Sequence, residues 1–209
     1  MTRKRVALLL LALPCLALAA LGAQAYPFAR LELGLGLAAY AALGLWRPHL
    51  LLFVLPLWLA LVNLAPWSGS IYREDYDLVL VVTLGVFLAT GHYALKIRLT
   101  RAQWLFLGLL AISYMVSTAR GLWPLPALDA IELSTYYSQW HAVRLAKGFF
   151  WAAALLPGLV SLLREDHMRA RLSLAWGLAA AGAAMGVVAM WERGVFNAAI
   201  ESGSVAAVV

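Results

Sequence analysis

Apolar residues in this chain come in long blocks, and short charged islands separate the blocks. An α-helix needs about 20 apolar residues to cross a hydrocarbon core of roughly 30 Å. On that measure the pattern predicts seven spans: Val6–Ala25, Tyr26–Trp46, Leu50–Trp67, Leu78–Leu95, Gln103–Thr118, Val143–Leu163 and Leu172–Trp191. The purely apolar part of the second, Leu33–Trp46, is too short alone, so Arg30 and Glu32 are expected to snorkel at the interface. Pro14, Pro56 and Pro157 fall inside spans, where neighbouring helices tolerate the kinks they introduce. Trp46, Trp67, Trp104 and Trp191 fall near span ends, the level that amphipathic rings favour. Trp58, Trp151 and Trp176 do not, and are expected to be packing residues. In the last span Gly182-Ala183-Ala184-Met185-Gly186 is a small-xxx-small pattern, which predicts close packing within the bundle in preference to self-association.

Charge orients the spans. With the N-terminus inside, ten of the sixteen basic residues are internal: Arg3, Lys4, Arg5, Arg47, Lys96, Arg98, Arg101, Arg164, Arg169 and Arg171. Six are external: Arg30, Arg73, Arg120, Arg144, Lys147 and Arg193. Only two acids, Glu165 and Asp166, fall inside. The bias follows the positive-inside rule, and merging two middle spans would move Lys96, Arg98 and Arg101 to the wrong side. The expectation is an all-α, polytopic transmembrane helix bundle of about seven helices with a cytoplasmic N-terminus. It forms one domain over residues 1–209, with 197–209 as an atypical tail. Thr2-Arg3-Lys4-Arg5, the apolar stretch after it and Ala23-Gln24-Ala25 also have the form of a secretory signal peptide. The length of that stretch and the span that follows at once favour a retained first helix.

Composition agrees with a lipid solvent. Hydrophobic residues make up 64% of the chain and charged ones 12%, where a soluble domain carries roughly a quarter. A net charge of +6 would suit nucleic acid, but the cations sit in clusters between apolar runs and make no stripe on a polar face, which excludes that partner. Cys15 is the only cysteine, so no intrachain disulfide forms. His49, His92, His141 and His167 are scattered without ligand spacing, so no metal is expected. Gly34-Leu35-Gly36-Leu37-Ala38-Ala39 imitates a dinucleotide fingerprint without the strand that motif requires, and no cofactor is expected.

Two external segments are both polar and aromatic. Pro66–Asp77 holds Trp67, Tyr72, Arg73, Glu74, Tyr76 and Asp77; Ala119–Ala142 holds Arg120, Asp129, Glu132, Tyr136, Tyr137, Trp140 and His141. Arg144 and Lys147, one helical turn apart, share a face at the outer boundary. Joined by Arg120, they have the chemistry to hold a diphosphate headgroup, with guanidinium forks and a point charge. Spacing alone favours the plainer reading, that they are anchors that fix helix depth. Glu192-Arg193 follows Trp191 at the outer end of the last span. There Glu192 is placed to accept a proton from a sugar hydroxyl and Arg193 to steady phosphate charge, unless the pair is simply a solvated helix end. His141 is the one histidine beside these groups, and with Glu192 it forms the candidate catalytic set. The span centres lack Asp, Glu, Lys and Arg, which argues against a transporter.

The stretch Tyr136-Tyr137-Ser138-Gln139-Trp140-His141-Ala142-Val143-Arg144-Leu145-Ala146-Lys147-Gly148, and Val188-Ala189-Met190-Trp191-Glu192-Arg193-Gly194-Val195-Phe196 at a helix exit, resemble the N-terminal half of bacterial O-antigen ligase and polymerase-like proteins. The resemblance implies a multi-pass protein of the bacterial cytoplasmic (inner) membrane. It implies glycosyl transfer at the outer face, from undecaprenyl diphosphate-linked glycan to an acceptor hydroxyl, with no obligatory metal. Arg120, Arg144, Lys147 and Arg193 would engage the diphosphate. The partners implied are the bilayer, the lipid-linked glycan and other membrane proteins of polysaccharide assembly. Members of that family continue into a large external segment and further helices, so the resemblance implies that the chain is a fragment, a frameshifted product or a smaller relative.

Overall fold

The computed structural model describes residues 3–25, 30–62, 75–93, 99–125, 138–165 and 167–201. Of the polar loop residues named above, Trp67, Tyr72, Arg73, Glu74, Asp129, Glu132, Tyr136 and Tyr137 lie outside the described residues, as do Lys96, Arg98 and the tail after Glu201. The chain is all-helical, with seven α-helices among the described residues: α1 (Arg3–Gln24), α2 (Arg30–Trp46), α3 (Leu51–Val62), α4 (Asp75–Thr90), α5 (Arg101–Gly121), α6 (His141–Glu165) and α7 (His167–Glu201). A 3-10 turn, Pro48–Leu50, joins α2 to α3. Four helices, α1, α5, α6 and α7, are long and apolar enough to cross a membrane.

The helix ends have local causes. Thr100 and Gln103 form a reciprocal capping box at the start of α5: Thr100 Oγ1 accepts from the Gln103 N–H, and Gln103 Oε1 from the Thr100 N–H. Gly91, at φ +80°, ends α4 in the left-handed region, where a Cβ is strained. The expected continuation of that span to Leu95 therefore does not occur as helix through Gly91–Tyr93. The largest difference is at α7, which runs ten residues past Trp191, so Glu192 and Arg193 lie within the helix and not at its exit. Pro14, Pro56 and Pro157 each lie within a continuous helix.

Helix α4 sits at the centre. Its sequence is apolar on every face after Asp77, so it has no side suited to water and is enclosed by α1, α2, α3 and α6. Leu80, Val86 and Phe87 are fully buried there, with Leu51, Leu52, Leu155 and Leu162 of the neighbouring helices. Small residues let the helices close. Gly22 receives Leu78, Gly85 receives Leu16 and Cys15, Gly44 receives Leu51 and Val86, and Gly158 receives Phe87.

These contacts also fix direction. Gly22 meets Leu78 while Leu16 meets Gly85, so α1 runs antiparallel to α4. Tyr40 meets Thr83 and Gly44 meets Val86, so α2 runs parallel to α4. Gly36 lies against Trp58 and Gly44 against Leu51, an antiparallel α2–α3 pair. His49 and Phe53 share a cavity wall with Arg169 and Trp176, so α3 and α7 run parallel. Asp77 meets Lys147 and His92 meets Glu165, so α4 and α6 are parallel. Gly121 lies against Ala142 and Tyr114 stacks on Phe149, so α5 and α6 are antiparallel. Together the pairs require every consecutive helix to reverse direction.

Two packing expectations change. Gly182 and Gly186 do not make a close helix contact: a Cβ built on either meets nothing within 4 Å. The close approach of α7 falls instead at Gly177, whose Cβ position lies 2.6 Å from the Phe53 carbonyl oxygen and 2.7 Å from its Cα. Trp176 is 66% exposed and is not a core residue, whereas Trp58 and Trp151 pack against the central cluster. Trp46 and Trp104 are exposed at helix ends as expected, and the Arg47 guanidinium lies 4.7 Å over the Trp46 ring.

Inside the core, the Thr83 hydroxyl donates to the Val79 carbonyl at 2.7 Å. A hydroxyl has one proton, so Tyr40 is the donor in its 2.8 Å bond to Thr83 Oγ1. Tyr40→Phe then leaves every remaining group satisfied and should cost only about 0.6–1 kcal/mol. Thr83→Val removes the acceptor and strands a buried phenol, for which about 1–3 kcal/mol is expected. Thermal unfolding of both variants in detergent checks the order; equal losses would show that the donor assignment is wrong.

Candidate functional site

A polar cluster lies where the first turns of α4 and α6 come together. Asp77, in the first turn of α4, is buried at 8% exposure. Its Oδ2 accepts from Lys147 Nζ at 2.6 Å and its Oδ1 from the Trp151 indole N–H at 2.8 Å. Lys147 and Trp151 stand four residues apart, so one face of α6 presents both donors. The carboxylate oxygens thus receive an ammonium and an indole proton in a half-buried setting, a charge-assisted arrangement stronger than neutral hydrogen bonds.

Beside it the last turn of α5 meets the first turn of α6. A Cβ at Gly121 would approach the Ala142 Cβ to 2.6 Å, so only glycine admits this contact. That puts Arg120, exposed in the last turn of α5, next to the segment carrying His141, Arg144 and Lys147. The α6 start is wound by Ser138, whose hydroxyl accepts from the Trp140 N–H and whose carbonyl accepts from the His141 N–H. A cavity of about 570 Å³ lies in the angle, walled by Tyr114, Ser117 and Thr118 of α5 and by Ser138, Gln139 and Ala142. Hydroxyls and an amide stand in its wall beside an aromatic ring and the apolar Leu145 and Ala146, with no charged residue among them.

The expected residues divide accordingly. Arg120, His141 and Lys147 are gathered at one end of the bundle, with His141 half-buried as the first residue of α6. Arg144 stands one turn before Lys147; its side chain lies outside the described residues. Lys147 is engaged by Asp77. Glu192 and Arg193 are exposed on α7, and among the described residues neither forms a hydrogen bond or ion pair with the α5–α6 junction. The partnership of Asp77 with Lys147 and Trp151 was not anticipated. Its signal was an acid in the first turn of an apolar helix, where a buried charge demands a counter-charge.

At the opposite end His92 Nε2 lies 3.1 Å from Glu165 Oε2, a second tie between α4 and α6. The Tyr93 hydroxyl, turned back by Gly91, donates to the Ala154 carbonyl at 3.1 Å. Among the described residues no group of three His, Cys, Asp or Glu side chains converges as a metal site. Comparison with family models, with curated proteins and with solved structures finds no match.

Proposed function

We propose that this chain is a polytopic protein of the bacterial cytoplasmic membrane, with its N-terminus in the cytoplasm. We further propose that it acts in surface-polysaccharide assembly, transferring or polymerising undecaprenyl diphosphate-linked glycans at the outer face. The membrane reading draws its support from the reversal of direction at every helix, which seven consecutive crossings require, together with four helices of spanning length. The glycan reading is carried by one observation: the Gly121–Ala142 contact gathers Arg120 with His141, Arg144 and Lys147 at a single end of the bundle. Three basic residues on the two helix ends that bound a cavity with hydroxyls in its wall suit a diphosphate joined to a sugar. Because Lys147 serves Asp77, Arg120 and Arg144 carry the greater part of that role. Glu192, His141 and Arg193 complete the proposed set, the first two for proton transfer.

A second reading has an observation in its favour. Lys147 is used structurally, and Glu192 and Arg193 stand exposed on a helix that packs mainly on α3, as they would in a non-catalytic subunit or scaffold of an export system. Deleting the gene should abolish polymer and accumulate lipid-linked precursor on either reading. Restoration with Arg120→Ala or Arg144→Ala separates them. Loss of a charge-assisted hydrogen bond of about 1.5–3 kcal/mol predicts at least a tenfold fall in polymer if the chain is catalytic. Full rescue by both variants would leave only the scaffold. Reporter fusions test the topology: Arg120 should report external and Arg101 cytoplasmic.

A further inference from the structure

A larger cavity lies away from this site, between α1 and α2, with Val82 of α4 as its floor. It has a volume of about 1010 Å³ and is lined mainly by carbon. Alanines and glycine make it wide: Ala19, Ala20 and Ala23 on one wall, Gly34, Ala38 and Ala42 on the other. A Cβ built on Gly34 meets nothing within 4 Å, so there is room to spare. One end is different. There α1 finishes at Gln24 and α2 begins at Arg30, and both line the mouth. Glu32 is exposed in the same turn but is not part of the wall.

In a bilayer such a space does not stay empty, and water gains nothing in an apolar groove without polar partners. Its wall on α1, Leu16 to Gln24, rises about 12 Å, and its wall on α2, Arg30 to Leu45, about 22 Å. These bracket one leaflet of hydrocarbon, roughly 15 Å. A guanidinium at the mouth can fork onto a lipid phosphate, and its charge favours a headgroup that is net anionic over one whose phosphate is offset by its own ammonium. We propose that this groove holds an acyl chain of an anionic phospholipid from one leaflet, with Arg30 and Gln24 at its phosphate. The inference rests on the membrane reading and is independent of glycan transfer.

The test is lipid retention. The full chain is reconstituted in nanodiscs of equimolar phosphatidylglycerol and phosphatidylcholine, extracted in mild detergent, and its bound lipid counted by native mass spectrometry. One phosphatidylglycerol per chain is expected, preferred over phosphatidylcholine by about fivefold, the weight of one arginine near an anionic headgroup. Arg30→Gln should abolish the preference while leaving the chain folded, and Ala38→Phe should lower retention of both lipids by filling the groove. Arg120→Ala should retain lipid like the wild type whether or not it supports polymer synthesis, which separates this inference from the glycan reading. Equal retention of the two lipids by the wild type, or an unchanged preference in Arg30→Gln, overturns it. Should Ala38→Phe fail to fold, the Arg30→Gln comparison decides. A protein absent from the membrane fraction would instead refute the membrane reading, before any lipid is counted.

Discussion

Asp77→Ala is expected to destabilise the fold by about 3 kcal/mol, at the lower end of what breaking a buried ion pair costs. The substitution takes from Lys147 a carboxylate at 2.6 Å and from Trp151 its indole acceptor, with both donors still fixed to α6. The Lys147 ammonium then stands half-buried without that counter-charge. A double variant makes the point sharper. Asp77→Leu with Lys147→Met removes both charges and should recover most of the loss, because two apolar side chains can replace a buried pair at little cost. Trp151→Phe should cost about 1 kcal/mol, since the carboxylate keeps its lysine. Thermal unfolding of the four proteins in one detergent measures all three effects. If Asp77→Ala melts like the wild type, the pair does not hold α4 to α6.

Gly177→Leu is expected to have an effect of similar size by a different route. The atoms facing its Cβ position are the Phe53 Cα and the carbonyl oxygens of Leu52 and Phe53, all at 2.6–2.8 Å. Backbone cannot rotate aside as a side chain can, so α3 and α7 must separate along their most extensive contact. Overpacking costs about 1–3 kcal/mol where side chains can adjust; with backbone in the way the upper figure, about 3 kcal/mol, is expected. Gly182→Leu, five residues along the same helix, enters open space and should stay within about 0.5 kcal/mol of the wild type. Parallel melts decide between them, and a harmless Gly177→Leu would mean that α7 does not approach α3 in this way.

The contrast between these glycines shows what the primary structure made legible. Seven apolar blocks became seven helices because block length and hydrophobicity are local properties, summed along one segment. Which glycine forms a helix contact is not local. Gly182-xxx-Gly186 has the better motif, but at about 100° per residue both glycines turn well away from the face that carries Gly177, and both are exposed. Boundaries were partly readable. Gly91 after Thr90 and the Thr100–Gln103 box are written in residue types, whereas the persistence of α7 through Glu192 and Arg193 is not. At the candidate site, Arg120, His141 and Lys147 were each recognisable as polar residues beside apolar spans. The partner of Lys147 was not, because it lies on another helix, and only packing brings α4 against α6.

The same clamp has a consequence for how the chain is made. Seventy positions separate Asp77 from Lys147, and synthesis proceeds from the N-terminus. At about 5–20 residues per second, the acid exists for several seconds before its lysine leaves the ribosome. Over that interval α1, α2 and α3 are complete and can gather round α4, yet its first turn carries an uncompensated negative charge. On the proposed membrane reading that end stays hydrated until α6 arrives, and the last-made neighbour of α4 is the one that lets it settle to its full depth.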